Sequence, residues 1–324
     1  MKLNSQKLKE LNFWEIIKES FVLAWQKKYL WWFGLFLILG GSSSFGFSSD
    51  DSKRDSSMKA FNTFFAQHPA FTISIISFLI VLCILLFILS FFARGALIKS
   101  IHQELAEKKS NFKAGLKMGK KYFGKILGLT LLSVIFLIAV AIVMAIPITS
   151  LFAAKAFIPA FILIAIAILI FIPLAFLVHF LLRLGYLYLV LGDLSIRSAL
   201  ENAYSLLKNN LAANLIFFLI FLLVNFVFCI ALFFLLAPVA LILFLVGLIL
   251  FFIFQKIGIV IAIILAVLIL LPIFLIIVSF YQVFQQTAWI KFFHAIAKPK
   301  IEEKVLEKIP ETKKITATNA VEEI

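Results

Sequence analysis

The chain has 324 residues, 64% of them hydrophobic and only 14% charged, whereas a soluble domain carries about 45–50% apolar and about 25% charged residues. An apolar excess of that size cannot be covered by a polar skin, which excludes a soluble globular domain. The formal net charge of +14 would suit a nucleic-acid binder, but lysines crowded beside long apolar runs indicate the anionic inner face of a membrane, and nucleic acid is not an expected partner.

In chain order, residues 1–28 form a polar N-terminal segment, much longer than the leading region of a signal peptide and followed by no clean cleavage site. Within it, Leu11, Trp14, Ile17, Phe21 and Trp25 recur at helical spacing among Glu15, Lys18, Glu19 and Gln26. This pattern predicts an amphipathic helix in the membrane interface.

Six uncharged runs follow: Tyr29–Ser49, Ala60–Ala93, Ile126–Ala154, Ala156–Leu182, Asn209–Gln255 and Ile257–Ile290. About 20 apolar residues cross a ~30 Å hydrocarbon layer as a helix, and in lipid the backbone must satisfy its own hydrogen bonds. The expected spans are 29–47, 69–93, 126–150, 157–182, 211–236 and 258–281. They form a membrane domain over 29–290, with a polar outer loop, Gly41–His68, after the first. The Asn209–Gln255 run is too long for one crossing, and Pro238 is expected to break it. Residues 238–255 are then either a seventh span or a re-entrant or interfacial stretch.

Charge favours six spans. With six, only Lys53, Arg54, Lys59, Lys155 and Lys256 lie outside, and the other 25 of the 30 lysines and arginines lie in cytoplasmic parts, as the positive-inside rule requires. Both termini are then cytoplasmic, and the membrane is the prokaryotic cell membrane. The tail 291–324 carries Ile301, Val305, Leu306 and Ile309 at helical spacing before Pro310, which predicts a short surface helix. The fold class expected is all-α: a polytopic transmembrane helical bundle of about six spans with cytoplasmic interfacial amphipathic helices.

Two further stretches repeat the N-terminal design of an amphipathic stretch, a polar break and a span. Over Phe112–Lys125 the stripe is Phe112, Leu116, Gly119 and Phe123, with Lys113, Lys117, Lys120 and Lys121 off it. Over Ile196–Asn210 it is Ile196, Leu200, Ala203 and Leu207, with Arg197, Glu201, Ser205 and Lys208 off it. The unit thus precedes spans one, three and five, which suggests a three-fold repeat of helical hairpins.

The stretch Gly185–Leu211, GYLYLVLGDLSIRSALENAYSLLKNNL, together with Arg94-Gly95 and Tyr281, resembles prokaryotic membrane proteins labelled glycerophosphoryl diester phosphodiesterase membrane domain. The resemblance covers most of residues 10–295 and implies a six-span bundle. The label comes from fusions to a phosphodiesterase barrel. This chain has neither room for that barrel nor its acidic and histidine motifs, so the resemblance implies no activity.

Candidate contacts with anionic lipid headgroups are Arg94, Lys113, Lys117, Lys120, Lys121 and Arg183. The two arginines sit at inner span ends, where snorkelling is the simplest role. His179 lies within a span but has no ionisable companion at its depth. Asn225 suits an interhelical hydrogen bond, and Asp193 and Ser195 suit helix capping. Cys83 and Cys229 lie in apolar runs too far apart in sequence to form a zinc motif. No catalytic residue, metal ligand or cofactor motif stands out. The expected function is a non-enzymatic, lipid-organising or scaffold membrane protein, with membrane lipids, a second copy or another membrane protein as partners. The rival is a transporter or permeation protein for a lipid-like or apolar substrate.

Overall fold

The computed structural model describes residues 12–40, 69–106 and 110–307. Among these, the chain forms eight α-helices and no strands: α1 (Phe13–Gln26), α2 (Leu30–Leu39), α3 (Pro69–Leu105), α4 (Phe112–Ala153), α5 (Phe157–Leu191), α6 (Ile196–Asn209), α7 (Leu211–Phe254) and α8 (Lys256–Glu307). Five of them, α3, α4, α5, α7 and α8, have the length and composition to cross a bilayer. The chain is thus a multi-pass helical membrane protein.

The first expected span is the exception. Its described helix, α2, has 10 residues, about 15 Å, or half a hydrocarbon layer. The outer loop and residues 41–47 of that span lie outside the described residues, as do residues 1–11 and the tail beyond Glu307.

Several expected boundaries dissolve into longer helices. α3 continues past Arg94 to Leu105. The expected break between the basic stretch and the third span is absent, because α4 runs unbroken for 42 residues. Pro238 does not interrupt α7, which has 44 residues, so residues 238–255 make no hairpin of their own. Ending a helix strands up to four N–H and four C=O groups at the break. In apolar surroundings that costs more than the single bond a proline removes, about 3 kcal/mol. Pro147 and Pro173 are carried inside α4 and α5 in the same way.

The hairpin turns are tight. Lys155 between α4 and α5 and Gln255 between α7 and α8 adopt left-handed backbone angles, φ 56° and 50°. The Ala156 N–H reaches back to the Leu151 carbonyl at 3.0 Å, the long bond of a Schellman cap.

The chain divides into two compact units. In the unit of Met1–Leu23, Lys125–Cys229 and Gln285–Ile324, an aromatic cluster packs Phe13, Phe180, Phe217, Phe221, Trp289 and Phe292. Phe217 and Phe292 are stacked at 4.1 Å between centroids, and Phe217 meets Trp289 edge-on. Thr130 and Tyr186 hydroxyls bond at 2.7 Å. Ser195 caps α6, accepting from the Ser198 N–H. Asp193, expected as a cap, instead pairs with Lys125 at 2.9 Å and has φ 48°.

In the unit of Ala24–Gly124 and Ile230–Phe284, glycines set the spacing. A Cβ on Gly34 would come within 2.6 Å of the Ser279 carbonyl oxygen, and one on Gly40 within 2.1 Å of the Ser90 Cβ. Backbones that close exclude any side chain, which is how small residues pack helices without help from water.

Candidate headgroup-contact surface

The first three turns of α4 present opposite faces of opposite character. Positions 113, 117, 120 and 121 fall within about 100° of one another around a helix that turns about 100° per residue. The lysines there are all exposed. On the far side, Gly115, Gly119 and Tyr122 are buried. A Cβ on Gly115 would lie 2.7 Å from the Phe33 ring and 2.8 Å from Ser100 Oγ; one on Gly119 would lie 2.7 Å from the Phe92 carbonyl oxygen. Phe33 stacks on Phe112 at 4.9 Å and 17°. Close glycine packing on one side therefore turns the lysines outward on the other. Lys121 also lies over the Tyr122 ring, 5.0 Å from its centroid, within cation–π range.

This register differs from the expected stripe. Phe112, Leu116 and Phe123 are only half-buried, and the packed column runs through Gly115, Gly119 and Tyr122. α6 shifts similarly, burying Ala199, Ala203, Leu206 and Leu207. In α1 the change is larger: Ser20 and Ala24 are buried, while Trp14 is 73% and Trp25 58% exposed, and Phe21 is exposed as well.

In the same unit as those lysines, one acidic residue ties three segments together. The Glu104 side chain, 6% exposed, takes Lys27 Nζ at 2.6 Å. It accepts from the Tyr29 hydroxyl at 2.8 Å and from the Ser110 N–H at 3.3 Å. Glu104 lies well past Ala93, where the charge-free run of α3 ends. Burial alone would raise its carboxyl, but the Lys27 and Tyr29 hydrogen bonds, the Lys27 charge and the Ser110 N–H outweigh it and hold the group below its ordinary range. Sequence reasoning missed this knot. Its one signal was a pair of carboxylates, Glu104 and Glu107, in a segment otherwise dominated by lysine.

The two candidate arginines are placed differently. Arg94 is half-buried on α3. Arg183 belongs to the other unit, where its guanidinium stacks 4.3 Å from the Trp289 ring, itself 1% exposed. The structure thus gathers the four lysines on one surface and gives Arg183 a packed aromatic partner. In the same unit as Arg183, Lys291 pairs with Glu19. His179 and Asn225 lie on exposed positions of α5 and α7. Among the described residues, no three His, Cys, Asp or Glu side chains gather where they could hold a metal ion. The thiols of Cys83 and Cys229 are free and exposed.

Two cavities bear on the rival transport role. One of about 490 Å³ lies between α7 and α8, and one of about 130 Å³ lies between α5, α6 and the start of α7. Asn214 is the one polar side chain lining either.

A family model described as a family of unknown function, DUF7544, matches residues 27–293, from Lys27 of the Glu104 knot to Phe293 beside the aromatic cluster. No curated protein and no solved structure matches. The match carries no information on the diesterase membrane-domain label.

Proposed function

We propose that this chain, which belongs to the DUF7544 family, is a non-enzymatic membrane protein that organises anionic lipid at the cytoplasmic face of a prokaryotic cell membrane through the lysine face of α4. The observation that carries this is the two-sided start of that helix. Lys113, Lys117, Lys120 and Lys121 are all outward, with glycines locked behind them. Each lysine near an anionic surface contributes about 1 kcal/mol, so four on one face amount to a strong headgroup preference. The exposed Trp14, Phe21 and Trp25 of α1 support it, because tryptophan and other amphipathic side chains favour the headgroup level. In this reading α1, the start of α4 and α6 are the interfacial elements of a six-span protein with both termini inside.

A permeation role for an apolar substrate would use the cavity between α7 and α8. The side chains lining it are all apolar, so it marks no polar path across the membrane, and the lysine face carries the reading instead.

The test is lipid retention by the full-length protein. Purified from mixed vesicles in mild detergent, the wild type retains anionic phospholipid over phosphatidylcholine, and the preference falls with rising salt. With Lys113, Lys117, Lys120 and Lys121 all changed to Gln, the preference drops by at least about ten-fold. Equal retention by the two proteins would remove the role assigned to this face.

A further inference from the structure

The hairpin of α7 and α8 carries a second feature, independent of the lysine face and within one unit. Over Ala240–Phe251 and Ile259–Leu270 the two helices flank an open groove of about 490 Å³, lined by apolar side chains. Small residues, Ala240, Gly247, Ala262 and Ala266, open it, and Phe244 and Phe251 stand among its larger walls. At its centre a Cβ on Gly247 would sit 3.2 Å from the Ala262 Cβ, so growth of either side chain closes the space.

The dimensions match one alkyl chain. The groove runs about 17 Å along α7 at ~1.5 Å per residue. An extended acyl chain advances about 1.25 Å per methylene, given C–C bonds of ~1.5 Å at ~111°, so some 13 or 14 methylenes fill that length. The volume lies in the ~300–1,000 Å³ range of ligand pockets.

Lys256, at the hairpin tip one turn before Ile259, is the one charged residue between Lys208 and Lys291. An anion beside it would be complementary. A second copy docked tip to tip would instead bring like charges together.

We infer that the groove between α7 and α8 holds one acyl chain of an anionic phospholipid, with its headgroup at the Gln255–Lys256 tip.

The experiment uses the full-length protein in vesicles containing phosphatidylglycerol with a photoactivatable group near the end of one acyl chain, and maps adducts by peptide. The expected result is adducts concentrated in residues 240–270. Gly247→Leu combined with Ala262→Leu cuts them by about five-fold or more, as loss of a filled pocket should, and leaves labelling of the lipid-exposed stretch Phe161–Ile172 of α5 unchanged. Lys256→Gln lowers the preference for the phosphatidylglycerol probe over its phosphatidylcholine counterpart by about five-fold, the factor matching ~1 kcal/mol per lysine, without lowering phosphatidylcholine labelling. Should the double variant not fold, Ala266→Val narrows the same groove and is expected to halve the adducts. Adducts spread evenly over all apolar helices, or insensitive to these fillings, would overturn the inference. So would efficient disulfide pairing of two Gly247→Cys chains in place of lipid labelling, which would make the occupant a second copy.

Discussion

Removing the Glu104 carboxylate should loosen the junction that it ties together, by an amount that follows from its three contacts. Lys27 is 41% exposed, so its share of the ion pair is about 0–1 kcal/mol. The Tyr29 hydroxyl and the Ser110 N–H donate to a charged, buried acceptor, and such bonds contribute about 1.5–3 kcal/mol each. The 3.3 Å Ser110 contact belongs at the low end. Glu104→Ala therefore costs about 3–5 kcal/mol, roughly 6–20 °C in Tm at ~2–4 °C per kcal/mol. Glu104→Gln keeps an amide oxygen for Tyr29 and Ser110 and costs about 1–2 kcal/mol. The assay is thermal unfolding of the full-length protein in detergent, followed by tryptophan fluorescence. pH adds an independent check. Because the folded carboxyl sits below its ordinary value of 4.5, its contribution is present above that value and is lost as the pH falls through the folded pKa. The stability difference between wild type and Glu104→Gln should thus narrow in acid. Equal Tm for the Ala and Gln variants, or a difference independent of pH, would refute the assignment of these contacts.

Other consequences can be measured with the same material. Gly119→Leu drives a side chain into the Phe92 backbone and should cost at least the ~1–3 kcal/mol of an overpacked core, with Gly119→Ala milder; unchanged melting would mean the helices do not approach there. Gln255→Gly and Lys155→Gly relieve left-handed strain in the two tight turns and should each stabilise by about 1 kcal/mol, a gain of a few degrees in Tm.

The crossings were legible because length alone identifies them: an uncharged run such as Ala156–Leu182 has few alternatives to a helix in lipid. Their ends were harder to read. Arg94 and Lys125 looked like boundaries, but a charge on a helix can be carried outward without interrupting it, so α3 and α4 run on through them. Pro238 looked like a breaker because in water the freed groups find new partners, whereas hydrocarbon offers none. The lysines of α4 lie off the apolar stripe of Phe112, Leu116, Gly119 and Phe123 and are exposed, but of that stripe only Gly119 is buried, and Gly115 and Tyr122 complete the packed column. Gly115 carries no side chain to count in a hydrophobic pattern, yet only its smallness lets Phe33 and Ser100 come so near. The Glu104 knot ties Lys27 and Tyr29 to a residue 75 or more positions away in the chain, a separation that no local pattern encodes.

The unbroken 42-residue course of α4 keeps its backbone bonding whole through the charged boundary. Around Lys125 each backbone amide keeps its carbonyl one turn back, so no orphaned polar group is handed to the acyl region. A chain that restarted its helix there would carry those groups into a medium with nothing to bond them.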